Sequence, residues 1–258
     1  MKVQLLPSTF DENGKASARQ HLMSVIIDDC VAIDAGSLAF SSTKIQREQI
    51  RDVVLTHTHL DHIAGLPLFI DDLFATLTEP VRIHATREMI DILERDIFNW
   101  SIYPRFSELK NSNGSVVEYC EFERGRSFAV KHLSVKGIGV NHQVSANGYI
   151  ISDGKTSIGI TGDTAETEDI WKAFNSEPQL KAVLAECAFP DDLDELASVS
   201  NHLTPQRLAV ELRKFQKTDC PVFVINIKPM YRDAVVRQLS ELNITGLSIL
   251  EVGKVYEW

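Results

Sequence analysis

Residues 52–65 read DVVLTHTHLDHIAG, and this stretch decides how the rest of the chain is interpreted. Three histidines and one aspartate fall within six residues, directly after an apolar segment with the character of a β-strand. If the strand continues, His57 and His59 point the same way, because side chains alternate along a strand. Asp61 and His62 follow where the chain turns into a predicted helix. Four potential ligands are therefore expected together at the carboxyl end of a strand.

These residue types indicate a catalytic metal site. Imidazole nitrogens and carboxylate oxygens bind zinc and similar divalent ions at about 2.0–2.2 Å, whereas a structural zinc usually recruits cysteine and closes its coordination shell. A group of His and Asp ligands without cysteine leaves a position for water, as catalysis requires. The alternative is a polar turn with solvated histidines. That alternative would be favoured for a lone histidine, but not for four ligands at this spacing.

Composition and charge narrow the class of protein. The chain has 258 residues, 44% of them hydrophobic and 24% charged, and we predict a single domain over residues 1–258. Its formal net charge of −10 argues against nucleic-acid substrates, because an acidic surface repels phosphates. Residues 1–10, MKVQLLPSTF, lack the apolar core of a signal peptide, and no apolar run has the roughly 18 residues that span a bilayer. We therefore expect a cytoplasmic protein that does not associate with membranes.

Short apolar runs alternate with amphipathic segments along the chain, which predicts a layered protein of strands and helices. The predicted strands are Val25–Ile27, Val31–Ile33, Val53–Leu55, Val81–His84, Tyr149–Ile151, Ser157–Ile160, Ala182–Ala185 and Val222–Ile225. The predicted helices are Ile63–Leu77, Arg87–Phe98, Ala165–Phe174, Pro205–Gln216 and Arg232–Leu242. Thr204 gives the helix at Pro205 a hydroxyl cap, and Pro205 suits its first position. The polar stretch Tyr103–Gly125 is predicted to be a loop or the tip of a hairpin.

The histidine-rich run also resembles a known family. His57-Thr58-His59-Leu60-Asp61-His62 is similar to the HxHxDH signature of the metallo-β-lactamase superfamily. His142, in VNHQVSANGYII, and Asp163, in ITGDT, resemble the next ligand motifs of that superfamily, in the same order. Either residue alone would pass for an ordinary loop residue. The resemblance extends from about Asp34 to the last helices, and it implies an α+β fold, the four-layer αββα sandwich, with metals at one edge.

The resemblance implies two divalent metal ions, zinc in the first place, with manganese or iron as alternatives. The implied ligands of the first ion are His57, His59 and His142. The implied ligands of the second ion are Asp61 and His62, and Asp163 would bridge the two ions.

Asn226 departs from the pattern. In VFVINIKP it stands where the related families usually have a final histidine ligand. Asparagine is a weaker, neutral oxygen ligand and a poor match for zinc. If Asn226 is the last ligand, the second ion would be held loosely, replaced by another ion, or missing. Alternatively, His202 would supply the ligand instead.

Further segments resemble one branch of the superfamily. Leu60 and residues 63–66, IAGL, complete a run similar to the HxHLDHxxGL signature of class II cyclic-nucleotide phosphodiesterases. Residues 201–205, NHLTP, and 227–229, IKP, resemble two later segments of that family. The resemblance implies a metal-dependent phosphodiesterase that hydrolyses a small phosphodiester, a 3',5'-cyclic nucleotide, with a metal-bound hydroxide. A homodimer is left open.

Glu186 and His202 are the predicted proton-transfer pair. Glu186, in LAECAF, and His202, in NHLTP, occupy the places of the proton relay in the related tRNA 3'-processing endonucleases, RNase Z. A histidine oriented by a carboxylate is a sensible general acid for a leaving alkoxide. Together with Asp61, which would orient the nucleophile, they are the predicted catalytic residues. The structural alternative is a buried glutamate in a local polar pair and a histidine that precedes a helix.

Three other functions are considered. The first is an RNase Z-like tRNA 3' endonuclease, against which the acidic charge and the missing Gly- and Lys-rich arm argue. The second is a lactone or thioester hydrolase, since the same metal chemistry attacks carbonyl groups. The third is a metal-binding protein without turnover, whose second metal site is damaged at Asn226.

Overall fold

The computed structural model describes residues 1–258, which divide into two compact units. The first unit comprises Met1–Ala16, Leu22–Glu123 and Gly253–Glu257, and the second comprises Ser17–His21, Arg124–Val252 and Trp258. The strands are β1 (Lys2–Leu5), β2 (Val25–Ile27), β3 (Val31–Ile33), β4 (Asp52–Val54), β5 (Val81–Ala85), β6 (Lys110–Asn111), β7 (Gly114–Ser115), β8 (Val117–Glu121), β9 (Ser127–Val130), β10 (Leu133–Gly139), β11 (Asn147–Ser152), β12 (Ser157–Ile160), β13 (Leu180–Glu186), β14 (Val222–Ile225), β15 (Leu247–Ile249) and β16 (Val255–Glu257). The α-helices are α1 (Leu38–Ser41), α2 (Lys44–Gln49), α3 (Leu60–Ile63), α4 (Leu66–Leu73), α5 (Arg87–Ile92), α6 (Asp169–Ser176), α7 (Asp194–Ser200), α8 (Pro205–Leu212) and α9 (Arg232–Glu241). The single domain over residues 1–258 stays a prediction.

The first unit is built on a seven-stranded sheet in the order β16-β1-β2-β3-β4-β5-β8. β3, β4, β5 and β8 run parallel to one another, whereas β2 is antiparallel to both β1 and β3. Every residue of β3 and β4 is buried, which explains why the centre of the sheet reads as a run of aliphatic residues. Helix α4 adds Leu66, Phe69 and Ile70 to the core of this unit.

The second unit has its own seven-stranded sheet, in the order β15-β14-β13-β12-β11-β10-β9. Strands β12 to β15 are parallel, so the carboxyl ends of β12, β13 and β14 lie at one edge of this sheet. Trp171 and Phe174 of α6 and Leu208 of α8 are fully buried in the core of the unit. The hydroxyl of Thr204 accepts a hydrogen bond from the Arg207 amide, which confirms the predicted cap of α8.

Most predicted elements are confirmed, and four predictions need correction. Helix α5 ends at Ile92 and is followed by a π-helix over Leu93–Ile97, and α6 begins at Asp169 instead of the predicted Ala165. The stretch Tyr103–Gly125 contains the predicted hairpin tip, formed by β6 and β7, but also strand β8 at the edge of the first sheet. The predicted helix Ile63–Leu77 is two helices, α3 and α4, interrupted at Gly65. None of the helices combines the length and the apolar character that crossing a bilayer requires.

An ion pair between the buried Asp52 and the partly exposed Arg82 ties β4 to β5. The Asp52 carboxylate accepts hydrogen bonds from Arg82 Nε and Nη2, both at 2.7 Å, and from His84 Nε2 at 2.9 Å. Burial raises the pKa of Asp52, but the hydrogen bonds from Arg82 and His84 outweigh this effect and hold that pKa well below its ordinary value. The charged form of Asp52 therefore stabilises the folded state.

We expect Asp52→Asn to lower the free energy of unfolding by about 2–3 kcal/mol at pH 7, because Arg82 loses its carboxylate partner. A pKa depressed by folding stabilises the protein above the unfolded-state pKa of about 3.9, and this contribution is lost as the pH falls towards the folded-state value. The difference between variant and wild type in urea unfolding should therefore shrink from pH 7 to pH 3. Asp96→Asn, which breaks an exposed pair with Arg95, is the control and should change little. An equal difference at both pH values would contradict this account.

Candidate metal centre

The first group of predicted ligands follows β4 in the first unit. His57 and His62 are buried, while His59 and Asp61 are partly exposed. The His57 ring centroid lies 4.7 Å from that of His59 and 4.1 Å from that of His62. Strand β4 already ends at Val54, so a loop, and not a continuing strand, brings the imidazoles together. The predicted clustering of the three histidines is nevertheless confirmed.

Asp34 and Thr56 anchor two of these histidines. The Asp34 carboxylate accepts hydrogen bonds from the Thr56 amide and hydroxyl and from His62 Nδ1, each at 2.7 Å. The Thr56 hydroxyl gives its proton to Asp34, so it accepts from His57 Nδ1 at 3.0 Å. Burial raises the pKa of Asp34, and the hydrogen bonds from His62 and Thr56 oppose that effect. This network fixes the orientation of both rings.

The same hydrogen bonds make the histidines suitable metal ligands. Because Nδ1 of His57 and Nδ1 of His62 are donors, each ring bears its lone pair on Nε2. Histidines that bind metals usually donate their other nitrogen to a carboxylate, carbonyl or hydroxyl in this way. With His59 and Asp61 beside them, the donors are imidazoles and a carboxylate, which suit divalent metal ions. The residues of this group therefore fit a metal.

Gly36 sets the path of the chain at Asp61. Its amide donates to the Met23 carbonyl, and the Met23 amide donates to the Asp61 carbonyl, both at 2.8 Å. A Cβ atom at Gly36 would lie 1.9 Å from the Asp61 carbonyl oxygen. Because this oxygen belongs to the backbone, a side-chain movement could not relieve the clash, and only glycine fits at this position. The close approach of these backbones positions the turn that carries Asp61 and His62.

Thr56→Val tests the anchoring network. Valine keeps the shape of threonine but removes the hydroxyl, so His57 loses its acceptor and Asp34 loses a donor. We expect about 10- to 100-fold weaker zinc binding, measured by competition with a chromophoric chelator. Thr56→Ser keeps the hydroxyl and serves as the matched control, with zinc affinity close to that of the wild type. Equal zinc affinities for the valine and serine variants would show that the hydroxyl does not support the ligands.

The second group of predicted residues lies at the carboxyl edge of the sheet in the second unit. Asp163 follows β12, Glu186 ends β13 and Asn226 follows β14, and all three side chains are buried. Asn226 Nδ2 donates a hydrogen bond to Asp163 Oδ1 at 2.6 Å. Glu186 Oε1 accepts from the Thr164 amide at 3.0 Å. Three parallel strands thus bring residues far apart in sequence to one place, as open sheets commonly do at their functional edge.

Glu186 and His202 form the predicted pair. His202 Nδ1 lies 2.9 Å from Glu186 Oε1 and 3.9 Å from Asp163 Oδ2. Burial alone would lower the pKa of His202, but the Glu186 carboxylate outweighs burial and raises that pKa above its ordinary value. Burial raises the pKa of Glu186. Phe189 packs its ring against His202 with centroids 5.6 Å apart and so limits rotation of the imidazole.

His142 is oriented by the backbone. Its Nδ1 lies 2.9 Å from the carbonyl oxygen of Asn201, which has a left-handed backbone with φ of 52° at the end of α7. As with His57, a proton on Nδ1 leaves the lone pair on Nε2. One potential ligand atom each from His142, Asp163 and His202 all lie within 4.8 Å of one another. This His/Asp cluster is also of the kind that binds divalent metal ions.

The sequence pattern missed the residues that orient His57, His62 and His142, whereas Glu186, which orients His202, was predicted. Asp34 directly follows the predicted strand Val31–Ile33, and its position at the end of a strand beside β4 was a usable signal. Thr56 lies inside the quoted motif but is not itself a ligand type. The carbonyl of Asn201 acts through the backbone, so no side-chain pattern indicates it.

Comparison with known proteins decides the family. Residues 13–211 match the protein family described as anti-Pycsar protein Apyc1, which is well over half of the chain. The chain belongs to this family. It is also similar to a probable 3',5'-cyclic-nucleotide phosphodiesterase of Yersinia pestis, with 24% identity over 238 residues, 80% of this chain and 67% of the relative.

Solved structures agree on the fold. Unliganded yeast PDE1 aligns with a TM-score of 0.77 and 17% identity over 98% of each chain. The metallo-β-lactamase fold protein YhfI from Bacillus subtilis aligns with a TM-score of 0.72 and 17% identity, over 99% of this chain and 98% of YhfI. The predicted superfamily, its αββα fold and the class of enzyme, a hydrolase, are confirmed by these comparisons.

Proposed function

We propose that this protein is a metal-dependent phosphodiesterase that hydrolyses a 3',5'-cyclic nucleotide. The observation that carries the proposal is the buried Glu186–His202 pair, which lies next to Asp163 at the carboxyl edge of a parallel sheet. A carboxylate that raises the pKa of a histidine produces a proton donor that works near neutral pH. The Yersinia pestis relative supports the choice of a cyclic nucleotide as the substrate.

The proposed ligands are those that the sequence predicts. His57, His59 and His142 would hold the first divalent ion, zinc in preference to manganese or iron. Asp61, His62, Asp163 and, more weakly, Asn226 would hold the second. Bound ions of this kind lower the pKa of a coordinated water and neutralise charge on phosphoryl oxygens.

The chain's own residues would then perform the steps that metals do not. Asp61, partly exposed beside the histidine cluster, would orient the attacking water. His202 would donate its proton to the leaving oxygen as the phosphodiester opens, because a ribose alkoxide leaves poorly without one. Glu186 would hold the imidazole through Nδ1, so that Nε2 faces the leaving group and Glu186 stabilises the charged ring. The side-chain hydrogen bonds of Glu186 both use Oε1, which accepts from His202 and from the Thr164 amide, whereas the buried Oε2 has no hydrogen-bond partner.

A first experiment tests the reaction and the ligands. Purified protein loaded with zinc or manganese should hydrolyse cyclic AMP and bis(p-nitrophenyl) phosphate. His59→Ala and Asp61→Ala should lower kcat/KM by about 10³-fold or more, because an ion or the orientation of the water is lost. Wild-type turnover in both variants would exclude the proposed mechanism. Cleavage of a tRNA precursor at physiological salt in preference to cyclic AMP would instead indicate the RNase Z-like function.

A second experiment tests the proton donor. His202→Ala should lower kcat for cyclic AMP by about 10²- to 10⁴-fold, the usual contribution of a general acid. The same variant should lose much less on bis(p-nitrophenyl) phosphate, because nitrophenolate leaves without protonation. Its zinc content should equal that of the wild type. Loss of a zinc ion together with equal losses on both substrates would make His202 a metal ligand and not the proton donor.

The proposal also covers the size of the substrate, the competing functions, the cellular location and the homodimer. The acidic net charge supports a small phosphodiester substrate over a long nucleic acid. Lactone and thioester hydrolysis, and metal binding without turnover, are the competing functions that the two assays separate. The cytoplasmic location and the homodimer stay predictions.

A further inference from the structure

Asn226 is a hydrogen-bond donor at the edge of the second sheet. It is 7% exposed, and its side-chain amide group donates to Asp163 Oδ1 at 2.6 Å. The opposite orientation of the amide would set its oxygen against a carboxylate oxygen, which electrostatic repulsion disfavours. The amide nitrogen therefore faces Asp163, and the atom that faces Asp163 is a hydrogen-bond donor.

A donor in this position opposes a cation. An amide NH₂ group has no lone pair for a metal, and its hydrogens carry partial positive charge. An ion on Asp163 Oδ1 would meet this positive end, unless the amide rotates by about 180° and gives up the hydrogen bond. Asp163 Oδ1 accepts the hydrogen bond from this amide nitrogen, whereas Oδ2 lies 3.9 Å from His202 Nδ1. The two oxygens of Asp163 thus differ in their ability to bind a metal.

The backbone at this position selects the residue type. Asn226 has a left-handed conformation with φ of 55° directly after β14. Asn, Asp and His are the residues other than glycine that adopt this conformation most readily. Aspartate and histidine, both much stronger metal ligands than asparagine, are therefore compatible with the backbone at position 226.

We propose that Asn226 is a positioning residue that holds Asp163 through its amide and makes the two metal ions bind with very unequal affinity. One ion binds tightly and the other binds at least about 100-fold more weakly. This inference rests on the proposed metal-dependent function. It goes further, because it makes Asn226 a hydrogen-bond donor to Asp163 in place of a weak metal ligand, and predicts that a true ligand at position 226 would tighten the weakly bound ion.

Zinc titration of the metal-free protein tests the proposal without an activity assay. Calorimetry and chelator competition on the wild type should show one tight and one weak zinc ion per chain. Asn226→Asp and Asn226→His should each tighten the weak ion by about tenfold or more. In the metal-free state, Asn226→Asp should also lower Tm, because it places a second carboxylate against Asp163, and zinc should raise the Tm of this variant more than that of the wild type.

Asn243→Asp is the matched control. Asn243 has nearly the same left-handed backbone, with φ of 50°, but it lies in the exposed turn after α9, where its amide donates to the Glu241 carbonyl. This variant should bind zinc as the wild type does. Two equally tight ions in the wild type would overturn the inference while leaving the phosphodiesterase proposal intact, as would unchanged affinities in both variants at position 226. Absence of zinc binding in every variant would instead remove the proposed function itself.

Discussion

The hydrogen bond at Nδ1 is the interaction on which the site depends. Four histidines, all predicted from sequence, have a protein oxygen within 3.0 Å of Nδ1: the Thr56 hydroxyl, the carboxylates of Asp34 and Glu186, and the Asn201 carbonyl. An imidazole has only two nitrogens, so fixing one as a donor decides both the direction and the protonation of the other. Without these acceptors the rings would rotate and their tautomers would mix. The acceptors therefore fix the direction in which Nε2 of each ring points.

The acceptors also differ between the proposed metal ligands and the proposed proton donor. A neutral hydroxyl or carbonyl orients a ring without favouring its charged form, which suits the role of metal ligand proposed for His57 and His142. The Asp34 carboxylate divides its charge among three donors, so His62 receives only part of it. Glu186 gives one oxygen to His202 and the Thr164 amide and is fully buried. That arrangement raises the pKa of His202, which suits its proposed role as the proton donor.

The sequence predicts the strands and helices that depend on a local residue pattern, and it fails for those whose bounds are set by tertiary contacts. Strands Ser157–Ile160 and Val222–Ile225 are found with the predicted boundaries, because both are short, apolar and fully or nearly fully buried. Strand β8 is missed because it lies at the edge of its sheet, where Val117 is its only buried residue. Apolar residues keep a helical spacing over the predicted helix Ile63–Leu77, yet the helix is interrupted at Gly65. There the carbonyl oxygen of Ala35 would lie 2.5 Å from a Cβ atom. A close backbone approach of this kind leaves no trace in periodicity.

The same distinction applies to the site. Residue types that can bind a metal are visible in a sequence, whereas most of the residues that orient them are recognised only once the backbone conformation is known. Asp34, Asn201 and Asn226 all have left-handed conformations, with φ of 60°, 52° and 55°, at the end of a strand or helix. This conformation reverses the chain abruptly, so that Asp34 reaches Thr56, Asn201 offers its carbonyl to His142, and Asn226 reaches Asp163. Asp and Asn adopt it at lower cost than other residues with a Cβ atom. At Asp34 and Asn226 the residue type is therefore selected twice, once by the backbone conformation and once by the side-chain hydrogen bond, whereas at Asn201 only the backbone conformation selects it. At position 226, that double selection yields a donor where a metal ligand would also be sterically acceptable.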